Sequence, residues 1–296
     1  MFGHIIGNEK IKEELLNSIN IGNISHSYLF LGTGGIGKKL IAKEFAKRIL
    51  CTSNNNNCTG CKSCIEFDTE NNPDFLIIEP DGNSIKIEQI REFQRKVSEK
   101  PVISQRKVYI INDSDKMTVE AQNCLLKTLE EPPEFVTIIL IGTNENNFLS
   151  TIKSRCMILH FEKIKEDEIL KYLETNYNVK INSKIMIDAF QGSIGKAIEI
   201  KDKQEQYEKI ENLIYGLEKM DIVDFVNKAD FIYSNKDDKI DILDYMEVIL
   251  IDISKKIDKY AQTIEIIEQT KKKLQVNANY DMSIDDMLFK IWETVN

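Results

Sequence analysis

The sequence predicts a parallel β-sheet covered on both faces by helices, followed by an all-helical remainder. Three observations carry this. Five short apolar runs alternate with helix-patterned segments up to residue 161, the signature of a sheet buried on both faces. A glycine-rich G-x-x-x-x-G-K loop joins the first run to the first of those helices. All five prolines lie at or before Pro133 and ten of the thirteen glycines lie before residue 161, so helix breakers stop where the helical remainder begins.

Taken in order, Ser27-Tyr-Leu-Phe-Leu31 reads as a buried strand, and Lys38 to Leu50 as a helix. Asp74-Phe-Leu-Ile-Ile78 is the second strand and Ile87 to Ser98 the next helix. Lys107-Val-Tyr-Ile-Ile111 is the third strand, and Val119 to Leu129 is a helix stopped by Pro132-Pro133. Val136 to Ile141 and Met157 to Phe161 complete the strands. Beyond residue 161, Ile242, Leu243, Met246, Ile249, Leu250, Ile253 and Ile257 repeat at the spacing of one helical face. Polar breaks near Tyr177–Ser183, Gln191–Gly195 and Ser234–Asp238 divide this half into several helices, and the run Asn54–Asn57 reads as a short polar loop.

Charge follows the same division. Residues 1–160 carry 19 basic and 20 acidic side chains, and residues 161–296 carry 20 and 28, which together give the net −9. An acidic balance of this kind disfavours gripping DNA by this chain alone. No run of about 18 apolar residues predicts a membrane span, and Met1-Phe-Gly-His-Ile-Ile lacks the pattern of a signal peptide. A cytoplasmic location is expected, and clustered cysteines there read as metal ligands or reactive thiols rather than disulfides.

The loop Gly32-Thr-Gly-Gly-Ile-Gly-Lys38 suits phosphate binding. Gly32, Gly35 and Gly37 allow backbone N–H groups to turn toward an anion, the following helix adds partial positive charge, and Lys38 reaches the outer phosphates. The metal side is defective. Lys39 stands where Ser or Thr would ligate Mg²⁺, and an ammonium repels that ion. The third strand ends in Asn112-Asp113, with Asn112 in the place of the acidic ligand and Asp113 in that of the catalytic carboxylate. Weak ATP or ADP binding, no Mg²⁺ in this chain's own site and little hydrolysis are expected.

Cys51, Cys58, Cys61 and Cys64 have the spacing C-x6-C-x2-C-x2-C. Four thiolates satisfy a closed, structural Zn²⁺ site, and a segment so poor in apolar residues needs a metal to organise it. An iron–sulfur cluster and free thiols are the alternatives. Cys124 and Cys156 are expected as buried small residues.

Further motifs complete the picture: His26-Ser-Tyr-Leu-Phe, Asn72-Pro-Asp-Phe, Pro80-Asp-Gly-Asn-Ser-Ile-Lys-Ile, Ala121-Gln-Asn-Cys-Leu-Leu-Lys-Thr-Leu-Glu-Glu-Pro132, Ser154-Arg155-Cys156 and Gly192-Ser-Ile-Gly-Lys-Ala197. With the loop and the cysteine insert, they resemble the AAA+ clamp-loader family over residues 2–200. The resemblance implies three domains: an α/β P-loop AAA+ domain (1–161) with the four-cysteine module at 51–64, a small helical lid (162–202) and an all-α collar (203–296). It also assigns Arg155 as a finger that enters the ATP site of a neighbouring subunit, a planar and permanently charged donor for a γ-phosphate. Gly195 stands where active members carry a nucleotide-sensing arginine, with Lys196 one place later. Thr143 and Asn144, ending the fourth strand, are either a sensor that polarises water or strand-end capping residues.

The resemblance is therefore to a member that has lost its own ATP chemistry and keeps the group that serves a neighbour. The partners it implies are gamma/tau ATPase subunits and a delta subunit in a heteropentamer, with the sliding clamp and primed DNA reached through the complex and no membrane. A catalytically active gamma/tau-like subunit is the alternative. A nucleotide kinase is disfavoured because residues 162–202 hold no arginine.

Overall fold

The computed structural model describes residues 2–53, 58, 60–276 and 278–296. The expected polar loop at Asn54–Asn57 lies outside them. Elements follow one another as α1 (Glu9–Ile21), β1 (Ser27–Leu31), α2 (Lys38–Leu50), α3 (Lys62–Asp68), β2 (Phe75–Ile78), α4 (Ile87–Val97), β3 (Lys107–Ile111), α5 (Val119–Glu130), β4 (Val136–Gly142), α6 (Ser150–Lys153) and β5 (Met157–His160). The rest is helical: α7 (Glu166–Tyr177), α8 (Lys184–Ala189), α9 (Ile194–Asp202), α10 (Gln204–Tyr215), α11 (Ile222–Lys228), α12 (Asp230–Ser234), α13 (Lys239–Ser254), α14 (Ala261–Gln275) and α15 (Tyr280–Val295). Each strand lies within a residue of its expected bounds.

Among the described residues the five strands form one parallel sheet in the order β2-β3-β4-β1-β5. The chain leaves β1 for the far edge and returns, so β1 sits where the strand order reverses, and the crevice beyond the strand C-termini there is the expected ligand position of such sheets. Register aligns that edge: Ile78 pairs Ile111, Ile111 pairs Leu140, and Leu31 pairs both Gly142 and His160. The residues that follow, Gly32, Glu79, Asn112 and Thr143, therefore share one edge of the sheet.

The core beneath one face joins Leu29, Leu31, Tyr109, Ile111, Ile138 and Leu140 to Ile90 and Phe93 of α4 and to Ala121, Leu125 and Leu129 of α5. Fully burying each aliphatic side chain is worth about 1.5–3 kcal/mol, which is why strands with continuous apolar sequence dominate this region. Helix α5 starts where the Thr118 hydroxyl accepts from the Ala121 N–H. Cys124 and Cys156, expected as buried, are only half-buried against this core. The Cys124 thiol donates to Gln94 Oε1 at 3.3 Å, so it uses its polar end.

The chain divides into two compact units, Met1–Ile169 with Gly192–Gly195, and Leu170–Gln191 with Lys196–Asn296. In the second unit Ile242, Leu243, Met246, Ile249 and Leu250 are buried on α13 as expected. Ile257 is not on that face: α13 ends at Ser254, and Ile257 lies beyond it, exposed. Glu211 of α10 accepts from Ser183 Oγ and from the Tyr245 hydroxyl, tying α8, α10 and α13 together. Trp292 Nε1 donates to Met220 O at 2.9 Å. No helix among the described residues is long and apolar enough to cross a membrane.

Candidate functional site

The glycine-rich loop runs from the end of β1 to the start of α2, as its sequence predicts. Lys38 is nearly buried, and its ammonium donates to Gly32 O at 2.6 Å and to Thr33 O at 2.7 Å. It thus folds onto the carbonyls of its own loop. Burial lowers its pKa to about 8, against the opposing pull of Asp115 and Asp113.

The loop is also covered from within the same unit. The Gly195 N–H donates to Gly35 O at 3.0 Å, and Ile164 N–H donates to Gly192 O at 2.9 Å, which fixes the turn. A methyl group on Gly195 would fall 2.9 Å from Gly35 Cα. On Gly35 it would fall 2.3 Å from Ser193 Oγ and 3.1 Å from Gly195 Cα, at a backbone φ of +72°. Two backbones approach here with no room for a side chain between them, which gives Gly195 a packing reason. Gly35→Ala combines overpacking, about 1–3 kcal/mol, with left-handed strain of about 1–2 kcal/mol. Its unfolding midpoint by scanning calorimetry should fall by about 4 °C or more. An unchanged midpoint would show that the contact is loose.

Lys39 Nζ meets Glu79 Oε1 at 2.6 Å, and Asn112 Nδ2 lies 3.5 Å from the same oxygen. The Lys39 hydrogen bond and charge hold the Glu79 carboxyl below its usual range. An ammonium–carboxylate pair thus spans the start of α2, the end of β2 and the end of β3, where a metal shell was sought. Asp113 has a left-handed backbone, φ 48°, and its carboxylate pairs with Lys116 at 3.1 Å. Asp115 Oδ2 accepts from the Thr143 hydroxyl at 2.7 Å and from the Thr143 and Asn144 N–H groups at 3.1 Å each. Both residues are therefore engaged at the strand end. Asn144 Oδ1 also accepts from the Asn146 N–H. Glu79 and Asp115 were missed by sequence reasoning. Glu79 had a visible signal, an acidic residue closing an apolar strand, but on β2 rather than β3.

Arg155 follows α6 and precedes β5. Its Nη2 meets Glu130 Oε1 at 2.6 Å, and its Nη1 donates to Thr151 O at 3.0 Å and Ser154 Oγ at 3.3 Å. Gln122 of α5 fixes the segment leading to α6, since its Nε2 donates to Asn147 O and its Oε1 accepts from the Leu149 N–H.

Cys51, Cys58, Cys61 and Cys64 come together with all four Sγ atoms within 4.8 Å of one another. The Cys51 and Cys61 sulfurs are 3.9 Å apart. A tetrahedral ion with metal–sulfur bonds of about 2.3 Å needs sulfurs about 3.8 Å apart, so the group could hold a metal, and its geometry is compatible with zinc. The Cys61 sulfur caps α3 by accepting the Cys64 N–H. Burial pushes the Cys61 thiol up, but hydrogen bonds from Thr52 and Cys64 outweigh it and bring it to about 5. Burial raises Cys51 and Cys64. Ser63 anchors the module, through Ser104 Oγ at 2.9 Å and Asn72 Nδ2. All six cysteines are free of disulfides.

The family described as DNA polymerase III, delta subunit, matches residues 7–165, more than half of the chain. The chain belongs to this DNA polymerase III clamp-loader family. Among individual relatives it is 34% identical over 197 residues to DNA polymerase III subunit delta' of Bacillus subtilis, covering 66% of this chain and 60% of that one. It is 33% identical over 210 residues to DNA polymerase III subunit tau/gamma of Haemophilus influenzae, covering 68% of this chain but 30% of that one. The chain thus spans less than two thirds of the length of these relatives. In fold it is similar to a DNA polymerase III gamma subunit-related protein of Thermotoga maritima, with a TM-score of 0.59, 18% identity and coverage of 95% and 99% of the two chains. This clamp-loader family member shares with that protein an α/β domain built on a parallel sheet, followed by a helical region.

Proposed function

We propose that this chain is a delta'-type, non-hydrolysing clamp-loader subunit that gives Arg155 to the ATP site of a neighbouring gamma/tau-type subunit. The observation that carries the reading is the Lys39–Glu79 pair at 2.6 Å. A cation fixed in covalent linkage to the phosphate loop replaces the ion that ATP hydrolysis requires, and Asn112 adds no negative charge beside it. The Lys38 contacts to its own loop carbonyls and the Gly35–Gly195 contact support the same reading, because they engage the lysine and one side of the loop. Arg155, by contrast, keeps the fork that stabilises charge developing on a γ-phosphate.

In this reading the sheet domain is the scaffold, residues 162–202 are the lid, and residues 203–296 are a collar that assembles with delta and gamma/tau subunits into a heteropentamer. The assembly loads a sliding clamp on primed DNA. The four cysteines hold a structural Zn²⁺ that supplies the closed coordination their module lacks in apolar content. The active gamma/tau-like reading is favoured by the retained Lys38 and by the 33% identity to a tau/gamma subunit. Steady-state hydrolysis by the purified chain with Mg-ATP separates the two. The delta'-type reading expects no turnover above that of Lys38→Ala, and turnover that Lys38→Ala abolishes would establish the alternative.

A further inference from the structure

Arg155 is held by more than its own segment. Glu130, the last residue of α5, reaches it from 25 positions away, and its carboxylate takes Nη2 at 2.6 Å. Thr151 O and Ser154 Oγ take Nη1 from the end of α6. The pair is half-exposed, with side-chain exposures of 32% and 48%. At that exposure an ion pair adds roughly 0–1 kcal/mol to stability, so folding does not require it. Its effect is on direction. A free arginine side chain samples many rotamers, and a guanidinium tied at both terminal nitrogens samples few. The group carries five N–H donors in a planar fork, and these contacts leave donors over for an incoming oxyanion. The C-terminal carbonyls of α5 and α6 add partial negative charge around the cation. Helix α5 is itself fixed, because Gln122 bonds the segment that enters α6.

We propose that Glu130 is the positioning residue for Arg155: it pre-orients the guanidinium so that the fork meets the γ-phosphate of a neighbouring chain's ATP without first paying its rotamer freedom. The proposal rests on the reading that Arg155 acts on a neighbour's nucleotide. A positioning residue acts on the transition state more than on ground-state binding, so kcat falls while KM for ATP stays.

The test uses the full chain reconstituted with its ATPase partners, and kcat and KM are read from single-turnover hydrolysis at the one site that Arg155 serves. Glu130→Gln should lower kcat about threefold to tenfold with KM unchanged, and Glu130→Asp should restore part of it. Arg155→Ala should lower kcat further, and adding Glu130→Gln on that background should change nothing, because both act through one guanidinium. Assembly by gel filtration should be the same for all variants. An unchanged kcat in Glu130→Gln, with Arg155→Ala still impaired, overturns the positioning role alone. An equal loss from Glu130→Gln with and without Arg155 overturns it too, since it would then act elsewhere. An unimpaired Arg155→Ala overturns the finger reading and the positioning role together.

Discussion

If Arg155 acts as the proposed finger, Arg155→Ala should lower the chemical step at the neighbouring ATP site by about 10³–10⁵, the range set by arginine fingers in phosphoryl transfer. The residue follows the short helix α6, so the change removes only surface contacts to Thr151, Ser154 and Glu130. Folding and assembly should be intact, and surface substitutions of this kind stay within about 0.5 kcal/mol. Arg155→Lys should recover little, because a point charge cannot reproduce a planar fork. Single-turnover hydrolysis in the reconstituted complex reads this directly, since summed steady-state turnover dilutes one site among several. A wild-type rate at every site would remove Arg155 from the chemistry.

Removing the proposed zinc should give the second large effect. Helix α3 has seven residues, too few to persist alone. The described part of its module leans on Cys64, Ser63 and the sulfur cap from Cys61. A strong chelator should release about one zinc per chain and lose the helical signal of α3. Cys64→Ser should lower the unfolding midpoint by several degrees, since loss of about 2–3 kcal/mol shifts a domain of this size by about 4–12 °C. The binding form is the thiolate, so retention should weaken as pH falls. Burial holds Cys51 and Cys64 as thiols to higher pH than usual, which makes them the costly members to deprotonate. Colorimetric zinc release across pH, alongside hydrogen exchange over residues 60–69, checks both points. A metal-free chain with α3 still protected would show that packing alone builds the module.

The sheet was legible because each strand is a mostly apolar run, and several close on a polar or glycine residue, such as Leu31-Gly32 or Ile111-Asn112. The breaker-poor half was legible as helices for the complementary reason. Helix α1 was not, since its buried residues are Ile11, Leu15 and the charged Lys12, whose ammonium is satisfied by Ile5 O and Glu9. Helix α3 escaped because caps and sulfur contacts hold it rather than a periodic apolar face. At the site, the identity of the loop and of the cysteine group was local and readable. The partners were not, because Glu79 meets Lys39 across 40 positions, Asp115 meets Thr143 across 28, and Glu130 meets Arg155 across 25. Only the register of a parallel sheet and the course of α5 bring those pairs together.

The touching backbones of Gly35 and Gly195 have a pharmacological consequence. An inhibitor built to mimic a triphosphate needs space over the loop, and here Ser193 Oγ and Gly195 Cα already stand against it. Such a compound should therefore bind this chain weakly, and isothermal titration with a non-hydrolysable triphosphate analogue checks this. Selectivity between chains of one fold would then come from the absence of a side chain on two residues.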